Sequence, residues 1–131
     1  MIGNGRFHFT KILVSDPDAQ FAFYSSVLGM AEKYRVRHGE GHDALDEIIM
    51  TSAGGGDPTL VLLHYVNRGK PTPGEAVLGF SVPDVDASTR QAEAEGGTVA
   101  QAPTDMPEFG IRVGFVLDPE GHRIEIVQPL P

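Results

Sequence analysis

A side chain does chemistry where its neighbours hold it still, and few ionisable residues in this chain sit in such places. Glu125 lies between Ile124 and Ile126, His64 follows Leu62-Leu63, and Lys11 stands between Thr10 and Ile12. Each interrupts an otherwise apolar, strand-forming run. A carboxylate placed like Glu125 can act as a general base or accept hydrogen bonds from a ligand, its pKa adjusted by the apolar surround. His64 is the matching acid–base partner, because an imidazole titrates near neutrality. Lys11, Arg112 and Arg123 are the cations that can pair with Glu125, bind an anion or stabilise an oxyanion. The competing structural readings are a partly buried ion pair at Glu125 and a satisfied strand-end histidine at His64. Thiol chemistry is excluded, since there is no Cys to form a disulfide, a thiolate ligand or a nucleophile.

The elements that must position these residues come in two copies. Ile12-Leu13-Val14-Ser15-Asp16-Pro17-Asp18-Ala19 is followed by a helical stretch ending at Leu28-Gly29. Phe80-Ser81-Val82-Pro83-Asp84-Val85-Asp86-Ala87 is followed by another ending at Gly96-Gly97. Asp16 and Asp84, Asp18 and Asp86, and Gly29 and Gly97 all share an offset of 68. Strand, Asp turn, helix and closing Gly therefore recur in one order, the mark of a duplicated module.

In the first copy, strands are expected over 7–14, 31–37, 45–51 and 59–66. Asp16-Pro17 caps the helix, and Phe21, Tyr24, Val27 and Leu28 recur at helical spacing along it. In the second copy the strands fall at 76–82, 98–102, 111–117 and 122–128, with a helix over 84–95. Each copy reads as βαβββ, so the fold class is α+β, two modules forming a curved mixed sheet around a central cavity. The boundaries are 7–66 for module one, 67–75 for a Pro/Gly-rich linker and 76–129 for module two.

Strand parity, in which i and i+2 share a face, sorts the cavity lining. It puts Phe9, Lys11, Leu60, Leu62 and His64 inward from the first module, with Val77, Gly79, Arg123, Glu125 and Val127 from the second. A regular hairpin about Asp118–Gly121 would add Arg112 and Gly114, making Arg112 a diagonal neighbour of Glu125. Pro103–Gly110 reads as a loop able to cover the site with Met106 and Phe109. His8 falls out of phase with Phe9. His38, His42 and His122 read as solvated surface residues.

Composition narrows the partners. The formal net charge is −8 over 131 residues, without a basic run, which argues against nucleic acid and anionic membranes. No signal-type segment or bilayer-length apolar run is present, so a soluble cytoplasmic protein is expected. The partner expected instead is a small molecule.

With the repeat in place, Phe23-Tyr24-Ser25-Ser26-Val27-Leu28-Gly29-Met30, Val82-Pro83-Asp84-Val85-Asp86 and Phe115–Ile126 resemble the vicinal oxygen chelate superfamily. That group includes glyoxalase I, bleomycin-resistance proteins and extradiol dioxygenases. The resemblance covers about residues 7 to 129. It implies four inward metal ligands, at Phe9, Leu62, Val77 and Glu125, of which Glu125 alone can bind a metal. The implied function is binding of a small apolar or aromatic molecule without the usual metal site and without a cofactor. The alternative is a glyoxalase-like lyase or isomerase. It would use Glu125 as a metal-free base, or a relocated Ni, Zn or Fe site built from His8, His64 and Glu125. An extradiol dioxygenase ranks last. Relatives often build the cavity from two chains, which implies a homodimer, with or without a swap at the linker.

Overall fold

The computed structural model describes residues 3–131. Eight strands and two helices follow in order: β1 Phe9–Leu13, α1 Pro17–Leu28, β2 Ala31–His38, β3 Leu45–Thr51, β4 Thr59–Tyr65, β5 Val77–Ser81, α2 Val85–Ala94, β6 Thr98–Met106, β7 Ile111–Leu117 and β8 Arg123–Pro129. They form two four-stranded mixed sheets, ordered β1-β4-β3-β2 and β5-β8-β7-β6. The one parallel pair in each sheet is β1 with β4 and β5 with β8. The βαβββ repeat and the α+β class hold.

The chain divides into two compact units. One contains the residues through Phe21 together with Gly29–Pro71, the other Ala22–Leu28 together with Thr72–Pro131. The second half of α1 thus belongs with the second repeat. There Phe23 and Tyr24 are almost fully buried, while Phe21 keeps part of its surface. Pro17, Gln20, Phe23, Tyr24 and Val27 are the buried positions of α1, one stripe at helical spacing.

The duplicated Asp-x-Asp turn has two jobs, one for each carboxylate. Asp16 and Asp84 accept from the Ala19 and Ala87 amides, at 3.0 and 3.1 Å, capping the helices. Asp18 and Asp86 tie the same helices to their sheets. Arg35 on β2 donates to both oxygens of Asp18 and both oxygens of Asp46. Arg112 on β7 donates to both oxygens of Asp86 and to Asp105. The guanidinium groups hold the carboxyls of Asp18, Asp46 and Asp86 below the usual carboxylate range.

The turn between β7 and β8 resets the register of the second sheet. The pair closing it is Leu117 with Arg123, so five residues are enclosed rather than the four of a regular hairpin about Asp118–Gly121. Asp118 builds this turn. Its amide donates to the His122 carbonyl, and its Oδ1 accepts from the amides of Glu120 and His122. Tyr24 donates to Oδ2 of the same side chain at 2.8 Å. Burial and the Asp118 charge push the Tyr24 phenol well up, so it stays a donor. One extra residue reverses the parity of β7. His122 is consequently buried, not solvated.

One further expectation changes. The segment 103–110 is not a free loop: β6 continues to Met106, and a 3₁₀ turn over Pro107–Phe109 leads into β7. The ladder slips between Gln101 and Thr104, so Pro103, which lacks an N–H, removes no hydrogen bond. Gly97 closes against its surroundings, since a Cβ there would come 2.6 Å from the Leu117 carbonyl oxygen and 2.9 Å from the Phe23 ring.

Candidate functional site

Pairing in the second sheet places Gly79, Glu125 and Phe115 side by side on β5, β8 and β7. The same face carries Val77 and Arg123 on one side of this row and Val127 and Val113 on the other. The opposite face, with Val116, Ile124 and Ile126 fully buried, packs under α2. Glu125 is half-buried, and among the described residues no hydrogen bond or ion pair engages its carboxylate. A Cβ on Gly79 would meet nothing within 4 Å, so space opens beside that carboxylate. Arg123 lies over the Phe115 ring, 4.4 Å from its centroid.

None of the three expected partners holds Glu125. Arg112 lies on the α2 face, as does Gly114, where a Cβ would come 3.3 Å from Val85 of α2. Both departures follow from the five-residue turn. Arg123 leans over Phe115 rather than toward Glu125. Lys11 binds Glu47 of β3 instead, donating to both carboxylate oxygens at 3.2 and 3.1 Å.

Glu47 is the residue that sequence reasoning missed. It pairs with Leu63 across the ladder and shares a face with Lys11, Phe9, Val61 and Ile49. The signal was present: Asp46-Glu47 precede Ile48-Ile49-Met50, and period two places one of the two acids on each face. Glu47, Lys11, Phe9, Val61 and Ile49, with His8, Tyr34 and Thr59, line a cavity of about 180 Å³ in the first unit.

The β4 half of the lining was out of phase by one residue. Lys11 pairs with Val61 and Ile12 with Leu62, so Leu60, Leu62 and His64 lie on the face opposite Phe9 and Lys11. Leu62 is fully buried. Parallel β1–β4 pairing could not be counted from a hairpin turn, which is why its register escaped. His64 is held by the Val14 carbonyl at Nδ1, 3.1 Å, and is not a partner of the Lys11 face. His8 binds Asp57 at 2.9 Å. Met106 pairs with Ile111, and Phe109 projects from the 3₁₀ turn, 69% exposed.

Comparison with known proteins agrees with this architecture. Residues 6–126 match the Glyoxalase/Bleomycin resistance protein/Dioxygenase superfamily. The chain belongs to that superfamily. Its relatives include a lactoylglutathione lyase of Pseudomonas aeruginosa, 31% identical over 93% of this chain and 81% of that protein. Another is the putative glyoxylase CFP32 of Mycobacterium tuberculosis, 27% identical over 97% of this chain. The chain spans 45% of the length of that mycobacterial relative. Among solved structures, a glyoxalase family protein from Bacillus cereus superposes with a TM-score of 0.85 at 17% identity, covering 100% of this chain and 99% of that one. Glyoxalase I from Zea mays gives 0.75 at 18% identity over 95% of this chain and 47% of its own. These likenesses show the fold.

Membership brings the superfamily's metal pattern to a direct test. Glu125 lies opposite Gly79, two residues after Val77, and the repeat-equivalent residue of β4, opposite Lys11 and two after Phe9, is Val61. The implied ligand position on β4 is thus Val61 rather than Leu62. The donor set is then two valines, a phenylalanine and one carboxylate, while a catalytic metal requires about three protein ligands. His8 and His64, the other candidate ligands, each have a partner within the first unit. His8 is drawn to Asp57 and His64 to Val14, and among the described residues no three His, Asp or Glu side chains are grouped to hold an ion. The residues present do not fit the superfamily's metal.

Proposed function

We propose that this superfamily member binds a small apolar or aromatic molecule on the Glu125 face of its second sheet, through chemistry that uses no resident metal. One observation carries the reading: a half-buried carboxylate on an apolar sheet face with no protein partner among the described residues. A polar group in that position costs stability unless something bonds to it. A ligand with a hydroxyl or amide donor supplies the bond, while Val77, Phe115 and Val127 take its apolar body. Arg123 above Phe115 offers a guanidinium for a carbonyl oxygen or an anionic substituent.

The space beside Gly79 provides the test. Gly79→Leu projects into it from a Cβ position that meets nothing within 4 Å, so stability is expected within about 0.5 kcal/mol of wild type. Aromatic alcohols and amides that raise the melting temperature of wild type are expected to lose their effect on this variant. An unchanged ligand response in Gly79→Leu would overturn the reading.

The relatives named lactoylglutathione lyase support a second reading, a metal-free isomerase. In that case Glu125 takes the proton from the carbon beside a carbonyl and returns it to the neighbouring carbon, with Arg123 stabilising the oxyanion. Chelator-treated protein would then convert the hemithioacetal of methylglyoxal and glutathione to thioester, and Glu125→Gln would not. No turnover by wild type would eliminate this reading.

A homodimer and a cytoplasmic location belong to the same proposal. β1 and β5 end their sheets with Phe9, Leu13 and Val77 at 47, 42 and 47% exposure, edges that a second copy could cover. No helix among the described residues is long and apolar enough to cross a membrane.

A further inference from the structure

The first unit contains a cavity of about 340 Å³ where β1 and β4 end and the chain turns through residues 66–71. Its apolar walls include Leu13, Leu63, Tyr65 and Pro71. The charged side chains in it all have one sign. Arg68 and Lys70 line it beside His64, and among the described residues no carboxylate does, in a chain of formal net charge −8.

The two cations are held differently. Arg68 is fixed as a wall: its guanidinium lies 3.5 Å from the Tyr65 ring centroid, and it donates to the His42 carbonyl and to Asp43. Lys70 is exposed, and among the described residues no hydrogen bond or ion pair engages it. A fixed guanidinium–aromatic wall, an apolar floor and a free ammonium at the rim together suit one kind of ligand. It has a flat or branched apolar body and a single negative charge.

We propose that this cavity is a second binding site, for a small organic monoanion such as a single-ring aromatic or branched aliphatic carboxylate. The body packs on Leu13, Leu63 and the Tyr65–Arg68 stack, and the carboxylate pairs with Lys70. The site shares no residue with the Glu125 face.

Benzoate is the probe, and benzamide is the neutral control of the same shape. Amide chemical shifts of the whole chain, titrated with each, report both affinity and place. The expected result is saturable benzoate binding, with shifts centred on Leu63–Pro71. Benzamide and the Lys70→Glu variant should each bind at least about tenfold more weakly, since each loses a charge-assisted contact. Lys70 is exposed and unbonded, so its replacement leaves the fold intact.

Absence of saturation, equal binding of benzamide, or undiminished benzoate binding by Lys70→Glu would overturn the proposal. So would shifts centred on Gly79, Phe115 and Glu125, a result that would instead support the site proposed for the second sheet.

Discussion

Glu125 is the residue on which the proposed function turns, because each cation that would neutralise it points elsewhere. Arg112 clamps Asp86 and Asp105, Lys11 clamps Glu47, and Arg123 stacks on Phe115. Removing its charge should therefore break no interaction within the protein. Glu125→Gln is expected to unfold in urea within about 0.5 kcal/mol of wild type, with ligand affinity at least about tenfold lower. A large stability loss would mean the carboxylate has a structural partner. Glu125 was legible in the sequence as an acid between two isoleucines. Its isolation was not, because that depends on where three arginine and lysine side chains go. Their destinations, Asp105 and Glu47 among them, are set by register rather than by composition.

At the level of elements, the caps, the Asp-x-Asp turns and most strand spans, β6 excepted, could be read from local signals acting over a few residues. Register could not. In the second sheet a single added residue in the Asp118–His122 turn moved Arg112 and Gly114 to the α2 face. In the first, parallel pairing has no turn to count from, and Leu62 and His64 went to the wrong side. Two tests belong here. Gly97 has a carbonyl and a ring where its Cβ would sit, so Gly97→Ala is expected to destabilise by about 1–3 kcal/mol, read from the urea midpoint. The second is acid. Asp18, Asp46 and Asp86 have native pKa values below their unfolded ones. The stability they contribute is complete above the ordinary Asp value of about 3.9 and is lost as pH falls through the lower native values. Asp46, with its side chain 15% exposed, should dominate, and Arg35→Met should flatten the urea-midpoint curve across that window.

At the scale of the whole molecule, two copies of one module have kept a common frame and diverged in what they present. The frame is the helix cap, the Asp–Arg tie and the parallel strand pair. The divergence lies on the sheet faces: the Lys11–Glu47 pair occupies one, and a bare carboxylate opposite a glycine occupies the other. Such division is how a fold shared by many chemistries acquires a new one, since the scaffold and the site vary separately. The proposed function requires that this chain work without the superfamily's metal. Elemental analysis tests it most directly, on protein loaded in turn with Ni²⁺, Zn²⁺ and Fe²⁺ and then dialysed, beside Glu125→Ala treated identically. No stoichiometric metal is expected in either protein. One ion per chain in wild type, lost in Glu125→Ala, would contradict that expectation and place a metal centre at that carboxylate.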